Sequence, residues 1–327
     1  MNARLEKGSL VTVFGGSGFI GRHVVRALCR DGWRVRVAVR RPDLAGYVQP
    51  MGAVGQVFPV QANVRYPESI RAAVQGAEAV VNLVAVLASS GAQSFEALHV
   101  KGAEAVAEAA KAAGARHLVH VSALGASPRS NSSYARTKAA GERAVLKAFP
   151  EAVILKPSVV FGPEDELFNR FANMAAMSPV LPLIGGGRTR FQPVYAGDVA
   201  TAVARACAGQ AEPGGIYELG GPEIVTFRQI LDKVQAWTGR KRAYVPLPFW
   251  AAKLGAILTW PLPNGLRPLT VDQVRLLQVD NVVSAQAQSE QHTLEGLGIT
   301  HPHTMAAIVP GYLERFNSHG QFAHYRG

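Results

Sequence analysis

Cysteine is nearly missing from this chain. Cys29 and Cys207 are the only two in 327 residues, which excludes a disulfide framework or a cysteine zinc site and points to a reducing compartment. Long hydrophobic runs are missing too. The oiliest stretch, 246–263, is interrupted by Lys253 and bounded by prolines, short of the roughly 20 apolar residues a spanning helix needs. Near the start nothing reads as a signal peptide, because residues 11–14 run straight into glycines. Acids are scarce at that same end. Residues 1–41 hold nine Lys/Arg against Glu6 and Asp31, and so carry +7 of the net +11. Such a balance points to a polyanionic partner. No zinc-finger spacing or aromatic-basic RNA signature accompanies it, so nucleic acid is not expected, which leaves nucleotide phosphates or an anionic membrane surface. His301, His303, His319 and His324 lack carboxylate or cysteine company, and no metal site is expected.

What is present is the material of a packed core: 48% hydrophobic against 17% charged residues is unlike a disordered chain. Strand-like and helix-like patterns alternate from residue 9 onward. Short apolar runs predict strands at 9–14, 33–39, 57–60, 79–86, 117–122 and 152–155, the last running into Lys156 and Pro157. Helical spacing predicts helices at 19–31, closed by Gly32, and at 67–74, 94–113 and 134–149. Strands separated by helices imply right-handed crossovers and a parallel sheet covered on both faces. After residue 162 the pattern loosens. Proline and glycine cluster at 178–187 and 213–222, with helices predicted at 198–209, 226–238 and 270–279.

Between the first strand and first helix stands Gly15-Gly16-Ser17-Gly18-Phe19-Ile20-Gly21. Glycines at 15, 18 and 21 suit a tight turn, close approach of backbone to a pyrophosphate, and close helix–strand packing. The helix start then offers unpaired N–H groups and a positive dipole end to the phosphates. The expected fold class is therefore α/β: a Rossmann-type doubly wound parallel sheet with a smaller C-terminal α/β lobe. Residues 1–162 would form the nucleotide-binding domain. Residues 163–327 would form the substrate or partner side, interleaved with the core and laid over the carboxyl edge of the sheet.

The end of the second strand sharpens the nucleotide. NAD-selective sites place an acid there to hold the ribose 2′-hydroxyl. Here Arg40 and Arg41 follow Val39, with no acid until Asp43. A guanidinium grips a 2′-phosphate with paired, charge-assisted bonds, so NADP(H) is favoured over NAD(H). By position, Asn63 is a candidate for the adenine amino group. Leu83, Val84 and Ala85 are candidates for backbone lying close to the cofactor, and Pro157 and Val159 complete the expected lining.

Tyr134 and Lys138 form Y-x-x-x-K, which on a helix puts both side chains on one face. An ammonium beside a phenol lowers its pKa and can hold a nicotinamide ribose, leaving the phenol to exchange a proton with a substrate oxygen. Ser122, ending the preceding strand, is the candidate to hold that oxygen. Together these residues resemble the short-chain dehydrogenase/reductase superfamily, of the extended or atypical kind. The runs FPEAVILKPSVVFGPEDELFNRFA and SPVLPLIGGGRTRFQPVYAGDVA narrow the likeness to the NADPH-binding accessory subunit family of respiratory complex I (NADH:ubiquinone oxidoreductase) and its bacterial relatives. That resemblance covers roughly residues 9–315. It implies a tightly held, largely structural NADPH and complex I subunits or quinone-pathway proteins as partners. It also implies a peripheral place on the inner face of the cytoplasmic membrane, or on the matrix side in a mitochondrion. The alternative is a working NADP-dependent oxidoreductase or epimerase on a hydrophobic substrate, with ubiquinone biosynthesis as its setting, because Ser122, Tyr134 and Lys138 are all retained.

The chain departs from the family pattern in two places. Ala62-Asn63 stands where Gly-Asp is usual, and His99-Val100-Lys101-Gly102 stands where extended reductases carry Asn. His99 is expected as a packed helix histidine in preference to a proton relay. In 246–263, Trp250 and Trp260 flank an apolar stretch preceded by Arg240, Lys241 and Arg242. Two readings stay open there: a core helix closing a pocket, or an interfacial helix meeting membrane or a quinone-site protein.

Overall fold

The computed structural model describes residues 8–89, 91–259 and 269–317. In chain order the first elements are β1 (Leu10–Phe14), α1 (Phe19–Arg30), β2 (Arg34–Val39), β3 (Val57–Gln61), α2 (Pro67–Val74) and β4 (Ala79–Asn82). There follow α3 (Gly102–Ala112), β5 (His117–Val121), α4 (Ser133–Ala148), β6 (Val153–Pro157), β7 (Val160–Phe161), α5 (Leu167–Met177), β8 (Val180–Ile184), β9 (Arg190–Phe191) and β10 (Val194–Tyr195). The remainder comprises α6 (Ala196–Cys207), β11 (Ile216–Leu219), β12 (Val225–Thr226), α7 (Phe227–Thr238), β13 (Ala243–Leu247), α8 (Phe249–Leu258), α9 (Val271–Leu276), α10 (Ala285–Ser289) and α11 (Met305–Leu313).

The chain divides into two compact units. The first holds the residues up to Pro157 together with Ala196–Leu219 and Val283–His301; the second holds Ser158–Tyr195, Gly220–Val282 and the residues from Pro302. The division thus falls after Pro157 and not at 162, and the chain returns twice to the first unit.

The first unit is built on a seven-stranded sheet in the order β3-β2-β1-β4-β5-β6-β11, every neighbouring pair parallel. Val11 of β1 pairs with Val35 on one side and Ala79 on the other, and all three are fully buried. Because β1 is flanked by β2 and β4, successive crossovers run in opposite directions from it. That leaves a crevice at the carboxyl ends of these strands, where ligands of open α/β sheets bind.

Three features of this unit differ from the sequence expectation. β11 extends the sheet through 216–219, inside a stretch read as proline- and glycine-rich loop. Its pairing with β6 begins with the Ile154 N–H donating to Gly215 O at 2.9 Å. Helix α6, expected in the C-terminal lobe, packs on α1 in the first unit. The helix expected at 94–113 opens as a π-helical turn, Glu96–Lys101, before α3. There Gly141 of α4 comes so near that a Cβ on it would lie 2.0 Å from His99 O.

The second unit has its own core around Phe161, Phe168, Phe227 and Ile230. Its strands form three two-stranded sheets, β7 with β10, β9 with β12 and β8 with β13. Buried Asp165 caps the start of α5 by accepting the Phe168 N–H at 2.7 Å, and it also takes the Tyr312 hydroxyl from α11. Thr226 and Gln229 form a capping box that fixes the start of α7. Among the described residues no helix is long and apolar enough to cross a membrane. Trp260 and residues 261–263, part of the oily stretch, lie outside the described residues, as do His319 and His324.

Candidate nucleotide-binding and active site

The glycine turn is shaped by contacts that only glycine permits. Gly15 sits at φ +80°, in the left-handed region. A Cβ on Gly21 would lie 2.2 Å from Gly15 O, and one on Gly16 would lie 2.9 Å from Val37 Cγ1. The Gly18 N–H donates to Gly15 O at 3.0 Å, closing the turn as α1 begins. No side chain caps α1 at Gly18, and its first turn, opened by Phe19 and Ile20, carries no acid. The positive end of the helix is therefore left for an anion.

A cleft of about 270 Å³ opens beside this turn, lined by Gly15, Ser17, Gly18, Arg40, Asn63 and the run Leu83, Val84, Ala85. Residues far apart in sequence are brought together here by the ends of β1, β2, β3 and β4. Arg41 is not among the lining residues. Its guanidinium instead pairs with Asp43 at 3.0 Å, both side chains well exposed. The pairing holds the Asp43 carboxyl below its ordinary range and the guanidinium above its own. Sequence reasoning missed Arg65, which also lines the cleft. The signal was local: Asn63 Oδ1 accepts the Arg65 N–H at 3.1 Å in an Asx turn, which fixes the backbone at Arg65. Asn63 therefore already spends one lone pair inside its own turn. Beside Ser17, the Tyr47 hydroxyl donates to the Ser17 carbonyl at 2.6 Å, with the Arg22 guanidinium 5.0 Å from the Tyr47 ring centre.

Tyr134 and Lys138 lie one turn apart on α4, whose start is capped by Ser132 accepting the Ala135 N–H. The Lys138 ammonium is buried and donates to Val121 O at 2.8 Å. Burial pulls its pKa down to about 8, against the opposing pull of Glu142. The Tyr134 phenol moves the other way from the expected activation: burial pushes it up to about 12. Ser122 is diverted as well. Its hydroxyl donates to the Glu142 carboxylate, which also pairs with Lys156 Nζ at 3.5 Å. Pro157 ends β6, its carbonyl accepting the Leu124 N–H at 2.8 Å. Val159 belongs to the second unit, where its N–H donates to Asn281 Oδ1 at 3.1 Å. Among the described residues no group of His, Cys, Asp and Glu is arranged to hold a metal ion.

Residues 11–220 match the NAD dependent epimerase/dehydratase family. The chain belongs to that family. In Rossmann-type folds in general, a glycine turn after the first strand and the carboxyl edge of the parallel sheet are the parts that meet a dinucleotide. The chain is 37% identical over 310 residues to "NADH dehydrogenase (ubiquinone) 1 alpha subcomplex subunit 9, mitochondrial" of Arabidopsis thaliana, covering 88% of this chain and 76% of the relative. It is 40% identical over 175 residues to the ceramide reductase of Caulobacter vibrioides, covering 54% of each chain. Among solved structures, an NADPH-dependent quinone oxidoreductase from Escherichia coli complexed with NADPH superposes with a TM-score of 0.72 at 21% identity. That match covers 93% of this chain and 99% of the other, and shows the shared fold. The Y-x-x-x-K pair stands on α4, between β5 and β6.

Proposed function

We propose that this chain holds NADP(H), in preference to NAD(H), in the cleft of its first unit. We further propose that it serves as a peripheral component associated with NADH:ubiquinone oxidoreductase, the nucleotide being a largely structural ligand. The observation that carries the reading is Arg40: an arginine lines the cleft at the end of β2, where an acid would hold a ribose 2′-hydroxyl, and the next acid in the chain, Asp43, is tied to Arg41. The residues fit the group. The glycine turn packs so closely on its own backbone and on Val37 that a Cβ would distort it, and the helix start it leads into presents N–H groups to phosphate. Arg65 adds a second cation to the same cleft.

A structural role for the nucleotide is supported by the diversion of Ser122 to Glu142 and by the raised phenol of Tyr134. Neither suits acid–base exchange near neutrality. A ligand bound to the folded state alone stabilises it by mass action, about 4 kcal/mol at a thousandfold excess over Kd. Association with complex I draws on the similarity to the plant subunit over most of this chain. A peripheral site on the inner face of the cytoplasmic membrane, or the matrix side of a mitochondrial one, draws on helix α8. Trp250, Leu254, Ile257 and Leu258 are exposed there while Ala252 and Ala256 are buried. Residues 240–259 carry four bases and no acid, a composition suited to an anionic bilayer surface. Migration of the native protein with NADH dehydrogenase activity on a native gel of mildly solubilised membranes is the expected result. Migration as a small free species would overturn the association.

A second reading, an NADP-dependent oxidoreductase on a hydrophobic substrate, is favoured by one specific pairing. Tyr134 and Lys138 remain together on α4, and a relative named as a ceramide reductase shares 40% identity over 175 residues. The nucleotide would supply the hydride, Tyr134 would give or take the proton, and Lys138 would anchor the ribose and tune the phenol. Under this reading Tyr134→Phe removes turnover of a ketone substrate and leaves NADPH affinity within about tenfold, ~1.4 kcal/mol. Turnover surviving that substitution would refute the chemistry.

A further inference from the structure

His99 stands in the π-helical turn that precedes α3, and both of its ring nitrogens are engaged. Nε2 accepts the Val86 N–H at 3.2 Å, and Val86 lines the nucleotide cleft. Nδ1 lies 3.1 Å from Thr137 Oγ1, on the helix turn between Tyr134 and Lys138. An Nε2 that accepts from a backbone N–H carries no proton, so the ring's N–H is at Nδ1 and donates to Thr137. The Thr137 hydroxyl in turn donates to Ser133 O at 2.9 Å, which completes its own pairing. Two aromatic rings hold the imidazole: Phe95 stacks on it at 5.3 Å, and Tyr134 meets it edge-on at 5.3 Å. Phe95 also touches the Tyr134 ring at 5.9 Å.

We propose that His99 is a positioning residue, bridging the cleft wall at Val86 to the Tyr134–Lys138 helix at Thr137 and so setting the nucleotide cleft and the phenol in register. The bridge also closes the segment from Val86 to His99, which contributes Gln93 and Leu98 to the cleft lining. A π turn is the device that allows it, since one extra residue in a helical turn re-aims a side chain that regular α spacing would direct elsewhere. Burial beside Lys138 lowers the imidazole pKa to about 3. The acceptor at Nε2 therefore persists across the physiological range.

The inference rests on the nucleotide reading of the cleft, and the test separates the two. Long-range 1H–15N spectra of histidine-labelled wild-type protein are expected to show His99 as the Nδ1–H tautomer, unchanged between pH 8 and pH 5. An Nε2–H tautomer, or titration near the ordinary histidine value of about 6.5, overturns the bridge whether or not nucleotide binds. Variants then test each arm by NADPH fluorescence titration. His99→Phe keeps the ring and loses both bonds, and is expected to weaken NADPH binding by about tenfold, ~1.4 kcal/mol. His99→Gln places an acceptor near the Nε2 position and is expected to restore affinity to within about threefold of wild type. His99→Asn places its donor near Nδ1, leaves Val86 unpaired, and is expected to stay as weak as His99→Phe. Equal affinity in all four proteins overturns the positioning role. If wild type binds no NADP(H) at all, the nucleotide reading fails, and the tautomer alone decides for or against the bridge.

Discussion

The two ends of the first unit's site are built on different principles. The glycine-turn end is made of backbone: the Gly15 conformation, the close pass of Gly21 under Gly15 O, and the bare start of α1. The α4 end is made of long polar side chains, and each has an internal partner: Lys138 with Val121 O, Ser122 with Glu142, His99 with Val86 and Thr137. Backbone aimed at a cleft stays available for a ligand, whereas side chains satisfied internally hold a shape. On the reading proposed above, the contrast is that of a protein that binds a dinucleotide more than it processes it.

The sharpest way to break the binding end is steric. Gly21→Val is expected to cost more than about 100-fold in NADPH affinity, ~2.7 kcal/mol, because its Cβ would fall 2.2 Å from backbone oxygen. Isothermal titration would show this, and retained affinity would mean the turn does not meet the phosphates. Next comes Arg40→Asp, expected to shift the NADPH-over-NADH preference by about 30-fold, since a charge-assisted bond is worth roughly 1.5–3 kcal/mol. Arg41→Ala, in contrast, should move it less than about twofold, because an exposed ion pair contributes little. Equal effects from the two arginines would erase the distinction between them.

Those arginines also mark how much of the site was legible beforehand. The glycine turn, the absence of an acid after β2 and the Tyr134–Lys138 spacing are local patterns, and each stands in the sequence as a short string. The separation of Arg40 from Arg41 was not legible, because it depends on which of two neighbouring side chains finds Asp43 first. The partner of Ser122 was hidden for a related reason. Glu142 reads as a solvated helix charge, yet it is buried, and its pairing with Ser122 spans 20 positions. In the fold, strands β1 to β6 followed from apolar runs and turn residues. β11 did not, because a four-residue strand among prolines and glycines shows itself only by pairing with β6. α6 was recognisable as a helix, but amphipathic spacing does not say whose core the apolar face enters.

A separate measurement, of stability in place of affinity, tests the α4 end. Lys138 has its pKa lowered from 10.5 to about 8 by burial, so the unfolded chain binds more protons there than the folded one between those values. Stability therefore rises with pH across the window from about 8 to 10.5, and the burial penalty is fully present below it. Urea unfolding at stepped pH should show a contribution of this sign in wild type that is missing in Lys138→Met. A wild-type profile with no such difference from the variant would mean that the ammonium is more solvated than its place on α4 implies.

The returns of the chain to its first unit carry a consequence for synthesis. Residues up to Pro157 emerge from a ribosome with one edge of the sheet, at β6, still open and with α1 lacking the helix that packs on it; β11 and α6 arrive only with Ala196–Leu219. An open parallel edge and an uncovered helix face are adhesive surfaces for other chains. Nascent protein is thus most exposed to misassembly during the stretch of translation between β6 and β11. For the same reason, a gene truncated after β6 encodes the phosphate turn on an α1 whose packing partner α6 is missing.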